Sequence, residues 1–129
     1  MKKIIITQWD MQMGPTPLYQ FPPEADMIQK EHLLKIWAKH ETTPDNSFVY
    51  IEESQIRYCS LLKKFENTTY FIILEITLKE KISIFQEVLT HVADDLLKNI
   101  NSSRFAHVLS DTYKTINNYS GLDDDQLFL

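Results

Sequence analysis

Two stretches of the chain are apolar at every position, and they predict where the centre of a sheet lies. Ile4, Ile5 and Ile6 are consecutive and β-branched, and the run 70–74 is apolar throughout. A strand that is apolar toward both faces is typical of a sheet covered on both sides. We therefore expect strands over 3–11 and 69–78 to lie at the centre of one sheet and to pair with each other.

Three further segments predict strands with a more interrupted pattern. Residues 18–21 form a short strand that Pro22 and Pro23 end, and prolines at both ends of a strand favour a sheet edge. Strands over 47–51 and 55–63 are followed by short polar connections that suit hairpins. We expect the second and third strands to lie at the two edges.

Helical spacing predicts three helices. The first covers 25–40, the second covers 81–100, and the third begins near Phe105, with Gly121 as the residue after its end. In the first helix we expect one arc to face the sheet, which leaves Ile28, His32 and Ile36 on the outer side. The residues of the inward arc are Met27, Leu33, Leu34, Trp37 and Ala38.

The order of these elements predicts an α+β fold. We expect a five-stranded antiparallel sheet with helices on both faces, in the order β-β-α-β-β-β-α-α. The domain would cover residues 1–121, and residues 122–129 would form a tail in which an acidic triplet precedes Leu-Phe-Leu.

A proline-rich hairpin joins the first two predicted strands. Gly14 can adopt a positive φ and Pro15 stiffens the turn, so a structural role follows from these residues alone. The hairpin pattern consists of Trp9, Asp10, Gly14, Pro15, Leu18, Tyr19 and Pro22. Together with the element order, this pattern resembles longin domains. Longins share a profilin-like architecture with roadblock domains. The resemblance implies small GTPases or their regulators as partners, and it supplies no catalytic residues.

Composition and charge exclude several classes of protein. The chain has 129 residues, which fits one domain, and its net charge of -5 argues against binding to nucleic acid. No apolar run approaches the roughly 18 residues that span a membrane, so we expect no direct membrane insertion. Cys59 is the only cysteine, which suits a reducing compartment and predicts a cytoplasmic protein.

No group of residues predicts an active site. The four histidines show no helical pair one turn apart, and nothing around Cys59 marks a nucleophile. Asp94 and Asp95 are adjacent and point in different directions on a helix, and the two glycines are too far apart for a phosphate loop. We therefore expect no enzyme activity, no metal and no cofactor.

The favoured hypothesis is a longin-like adaptor or scaffold that binds a protein partner. Two alternatives stay open, a roadblock-like homodimeric platform for a GTPase and a small enzyme of unknown chemistry. The tail either docks on its own domain or inserts into another chain. The candidate partner-binding residues are Ile28, His32 and Ile36 on the first helix, Phe48 and Tyr50 on the third strand, and Leu127 and Phe128 in the tail.

Overall fold

The computed structural model describes residues 1–44 and 47–120 of the chain. Within these residues the chain forms strands and helices in the order β-β-α-β-β-β-α-α, so the predicted α+β fold class is confirmed. The elements are β1 (Lys3–Asp10), β2 (Gly14–Phe21), α1 (Lys30–Thr42), β3 (Phe48–Glu53), β4 (Ile56–Phe65), β5 (Thr68–Ile76), α2 (Ile82–Lys98) and α3 (Phe105–Ser120).

The strands form one antiparallel sheet in the order β2-β1-β5-β4-β3. β1 pairs with β5 at the centre, in a register that sets Lys3 opposite Glu75 and Gln8 opposite Tyr70. β2 and β3 are the edge strands, as the interrupted sequences of these two segments predict.

The two faces of the sheet pack against different helices. Ile4 and Ile6 belong to the core beneath α2 and α3, whereas Ile5 belongs to the core beneath α1. All three side chains are at most 1% exposed. Because successive side chains of a strand point to opposite faces, this apolar run contributes to both cores at once. The helical layers therefore cover the sheet from both sides.

The hairpins β3–β4 and β4–β5 turn through two residues each. Ser54 and Gln55 have φ values of 51° and 69°, and Glu66 and Asn67 have values of 50° and 66°. Two consecutive positive φ angles are the mark of a type I′ turn, whose twist matches that of the flanking strands. Both turns form without glycine, so the strand pairing on either side holds these residues in the left-handed region.

The prediction that the first helix begins at residue 25 is wrong, since α1 begins at Lys30. The carbonyl groups just before it are bonded to side chains. The Gln20 amide donates to the carbonyl oxygen of Ala25 at 2.6 Å, and the Lys3 ammonium donates to that of Asp26. Before Lys30 the chain therefore makes a turn at residues 22–25 and has no regular structure at 26–29, and the helix begins only beyond Gln29.

The predicted orientation of the first helix is also wrong. Ile28, His32 and Ile36 were expected on the outer side, but they are only 8%, 3% and 1% exposed. Met27 and Leu34, expected inside, are 72% and 41% exposed. Ile28, His32 and Ile36 pack between α1 and the sheet. None of them offers a surface to a partner in this fold.

Two histidines account for this error. The buried residues of α1 are His32, Leu33, Ile36 and His40, which form one helical stripe. Counting both histidines as polar hides that stripe and moves the apparent apolar arc toward Leu34. The stripe becomes visible only when imidazole rings are accepted as core groups with hydrogen-bond partners.

We expect Ile36→Asp to unfold the protein or lower its stability by more than about 3 kcal/mol, because it places a carboxylate in an apolar core. Leu34→Asp, on the exposed side of the same helix, should change stability by less than about 1 kcal/mol. Urea denaturation followed by circular dichroism measures both. Equal midpoints for the two variants would contradict the orientation of α1.

Candidate functional site

The backbone of β3 at Tyr50 and Glu52 faces away from the sheet. The amide of Leu62 in β4 donates to the carbonyl oxygen of Ser47 at 2.7 Å, and the register of β3 with β4 is regular from there on. Hydrogen-bonded pairs alternate along an antiparallel ladder. The odd-numbered residues of β3 therefore bond to β4, and Tyr50 and Glu52 point their N–H and C=O groups outward.

A guanidinium group supports the exposed side chain of this edge. The Arg57 carbon Cζ lies 5.6 Å from the centre of the Tyr50 ring, within the range of a cation–π contact. The same guanidinium donates to the carbonyl oxygens of Thr77 at 3.1 Å, Leu78 at 2.9 Å and Glu80 at 3.1 Å. The loop before α2 thus holds the Arg57 guanidinium in place. This guanidinium in turn supports the ring of Tyr50, which is 41% exposed.

A cavity of about 360 Å³ lies beside the first half of β3. Its walls come from the end of α1, from β3 and from the start of α2, and they include Thr43, Tyr50 and Ile82. A strand that binds at a sheet edge gains affinity from main-chain bonds and specificity from neighbouring side-chain pockets. The β3 edge offers both features.

The opposite edge, β2, differs in its backbone. Pro15 and Pro17 lack an N–H group, and the register shifts between Tyr19 and Pro17, so that Leu18 is the extra residue of a bulge. Prolines and bulges are the devices by which proteins prevent strand addition at an edge. β2 is closed to strand addition, and β3 carries neither device.

The residues predicted to build the first hairpin make contacts within the domain. The Asp10 carboxylate accepts the amides of Gln12 at 2.8 Å and Met13 at 2.9 Å, and these bonds lower the pKa of Asp10. Gly14 has a φ of 75°, which a residue with a side chain rarely adopts.

An aromatic contact also joins the hairpin to α1. Trp9 stacks on Trp37 of α1 with ring centres 5.2 Å apart and planes within 7°. Pro22 follows Phe21 through a cis peptide bond.

Each buried histidine of α1 is hydrogen-bonded to a hydroxyl group on β4. His32 Nδ1 lies 2.9 Å from the Tyr58 hydroxyl, and His40 Nε2 lies 2.9 Å from the Ser60 hydroxyl. The His40 ring also stacks on Phe71, with centres 5.2 Å apart. These two bonds align α1 with one strand of the sheet in a way that apolar contacts alone would not.

The environment of His40 favours its neutral form. Its side chain is buried, and burial lowers its pKa to about 4. Its Nδ1 atom has no hydrogen-bond partner in the described part of the chain. Protonation would therefore place an uncompensated charge in the core.

Cys59 is fully buried, as expected for a strand cysteine without a nucleophile motif. Burial raises its pKa to about 12, so the group is a thiol at neutral pH.

A row of polar side chains, which was not predicted from the sequence, crosses the sheet beneath the start of α1. Lys3 is paired with Glu75 and Glu75 with Tyr58 in the strand registers. Burial and the nearby charge of Glu75 raise the pKa of Tyr58 to about 12. A signal was present, because strand periodicity puts Lys3 and Glu75 on the same face as Ile5 and the other residues of the α1 core.

The described residues contain neither a metal-binding group of side chains nor a membrane-spanning helix. Within residues 1–44 and 47–120, no three His, Cys, Asp or Glu side chains are grouped closely enough to bind a metal ion. No helix in the same ranges is both long and apolar enough to cross a membrane. Leu127 and Phe128, predicted as tail contacts, lie outside the described residues, as does Gly121.

Comparisons with protein-family models and with curated proteins identify no relative. No protein-family model matches the chain, and no curated protein matches it. The resemblance to longin domains stays a prediction that rests on the element order and on the hairpin.

We expect the protein to lose stability in mild acid because of His40. Its folded-state pKa is lowered from 6.5 to about 4, so the unfolded chain binds a proton more readily between these values. The stabilisation is complete above about pH 6.5 and declines as the pH falls, by about 2 kcal/mol at pH 5. Urea titrations at pH 7.5 and pH 5 measure the loss.

His40→Gln should reduce that loss, whereas His107→Gln should leave it unchanged because His107 is exposed. If the two variants showed the same acid dependence as the parent protein, His40 would not be its source.

Proposed function

We propose that this chain is a non-catalytic, longin-like protein-interaction module. It acts as an adaptor or scaffold in a cytoplasmic assembly of the small-GTPase or membrane-trafficking type. The observation that supports the proposal most is the open edge of β3, where Tyr50 and Glu52 direct their backbone groups outward. The partner class comes from the resemblance to longin domains alone.

The partner binds by adding an extended segment to β3. Tyr50 and Glu52 each supply one N–H donor and one C=O acceptor to that segment. The exposed Tyr50 ring, supported by Arg57, packs against the incoming strand on one side. The neighbouring cavity receives one side chain of the partner, which gives the edge selectivity for a particular sequence.

This site replaces the outer face of α1 as the binding surface. Ile28 and Ile36 are buried, so a partner cannot reach them without displacing the helix. Phe48 is buried as well, at 6% exposure, and contributes to the core beneath α2 and α3. Tyr50 is the exposed member of the predicted pair.

A photo-crosslinking amino acid at position 52, introduced in the cells that naturally make the protein, tests the proposal. We expect a covalent adduct with a small GTPase or a regulator of one, identified by mass spectrometry. The adduct should disappear in Tyr50→Pro, because this substitution removes the outward N–H group that the added strand would bind. The β3–β4 pairing should be kept, because that N–H group is not bonded to β4.

Two controls separate backbone binding from other effects. Tyr50→Thr removes the ring but keeps the N–H group, so it should retain most of the adduct. A crosslinker at position 34, on the exposed side of α1, should give no such product. An adduct that persists in Tyr50→Pro, or appears equally from position 34, would rule out strand addition at β3.

A roadblock-like homodimer is the second candidate, and the sequence of β3 favours it. If two copies of β3 paired antiparallel about a two-fold axis at Tyr50, Tyr50 would face its own counterpart. Val49 would face Ile51 of the second copy, and Glu52 would face Phe48. The pairing is self-complementary and places no like charges opposite each other, as a two-fold interface requires.

Light scattering distinguishes the two candidates. A homodimer should show a mass twice the 15.2 kDa of one chain and should return to 15.2 kDa in Tyr50→Pro. The adaptor should be monomeric in both forms. A dimer unaffected by Tyr50→Pro would place the interface elsewhere and would contradict the β3 homodimer.

A further inference from the structure

A cavity of about 310 Å³ lies at one end of β1, β4 and β5, beside the segment that leads into α1. We propose that it binds a small zwitterion, a free α-amino acid with an apolar side chain. The site is separate from the β3 edge and uses none of the residues assigned to partner binding there. Its volume is at the lower end of the range for small-molecule sites, which fits a ligand of this size.

Both charged groups that such a ligand needs are present on the floor of the cavity. The Lys3 ammonium lies 3.5 Å from Glu75 Oε1 and also donates to the carbonyl oxygen of Asp26. These contacts engage two of its three N–H bonds. The third is left to donate to a carboxylate.

Glu75 provides the complementary acceptor. Its carboxylate has about four acceptor positions, and the contact with Lys3 uses one of them. At 3.5 Å that contact is longer than the 2.7–2.9 Å typical of a tight charge-assisted hydrogen bond. A ligand ammonium group can therefore bind Glu75 without competing for a closed ion pair.

The balance of charge selects a zwitterion over a simple ion. The residues that line the cavity carry a balanced formal charge, with Lys2 and Lys3 positive and Asp26 and Glu75 negative. A simple anion would bring an unpaired negative charge beside Glu75, and a simple cation would do the same beside Lys3. A ligand with both charges instead brings its carboxylate to Lys3 and its ammonium to Glu75, so that each added charge meets an opposite one.

The rest of the lining is mostly apolar, with Gln29 as one further polar residue. Ala25, Met27 and Ile56 line the cavity together with the ring of Tyr58. The Tyr58 hydroxyl is bonded to His32, and the Ala25 carbonyl accepts the Gln20 amide, so two walls are held by hydrogen bonds. An aliphatic side chain of the ligand would pack against these walls.

Three probes of the same shape test the charge requirement. L-Leucine carries both charges, 3-methylbutylamine lacks the carboxylate, and 4-methylpentanoate lacks the ammonium. In titrations followed by ¹⁵N NMR, we expect saturable shifts around Lys3, Ala25 and Glu75 with leucine. Each single-charge analogue should bind at least about tenfold more weakly, because one charged hydrogen-bonding group is then unpaired.

Two variants locate the site. Glu75→Gln should weaken leucine binding at least about tenfold, while Asp94→Asn, which alters an exposed carboxylate on α2, should have no effect. Ala25→Leu enlarges a half-buried residue of the lining and leaves Lys3 and Glu75 unchanged, so it should abolish binding and keep the fold. This second variant decides the question if Glu75→Gln fails to fold.

The proposal is overturned by any of three results. The first is the absence of saturable shifts with leucine at concentrations on the order of 10 mM. The second is equal binding of leucine and either analogue. The third is leucine binding that survives Ala25→Leu. None of these results bears on the β3 edge, whose tests use other residues.

Discussion

β1 pairs with β5 between two helical layers, and this pairing determines where the other three strands can lie. Both strands are buried on both faces, so a slip of one residue would exchange the side chains that face α1 with those that face α2 and α3. With this pair fixed at the centre, β2 and β4 can only lie outside it. The hairpin connection of β4 to β3 then makes β3 the last strand, so the central register decides which backbone groups reach the surface.

The two edges of the sheet differ in whether they can accept another strand. β2 is closed by two prolines and a bulge, while β3 is regular and turns Tyr50 and Glu52 outward. A domain with two open edges would tend to polymerise through strand addition, whereas one open edge allows a single added strand. This asymmetry suits a module that joins one partner at one place.

Much of the fold could be predicted from local sequence. The run Ile4–Ile6 defined a central strand, and prolines around residues 18–21 identified an edge, because each depends on the residue's own chemistry. The start of α1 could not be predicted in this way. It depends on Gln20 and Lys3, which bond to the carbonyls of residues 25 and 26 and keep that segment from being helical.

The candidate sites were harder to predict for the same reason. The burial of His32 and His40 depends on hydroxyl groups supplied by β4, and neither partner is adjacent in sequence. The polar row from Lys3 through Glu75 to Tyr58 requires the register of three strands. The outward backbone at Tyr50 requires the phase of the β3–β4 ladder. Each depends on pairing between distant segments, which a single sequence does not display.

Arg57 links two parts of the surface that are distant along the chain. Its guanidinium contacts the Tyr50 ring on one side and holds three carbonyl groups of the loop before α2 on the other. Occupation of the β3 edge would restrict Tyr50 and, through Arg57, would also restrict that loop. Binding at the sheet edge would therefore also reduce the mobility of residues 77–80, which lie outside the sheet and more than one element away.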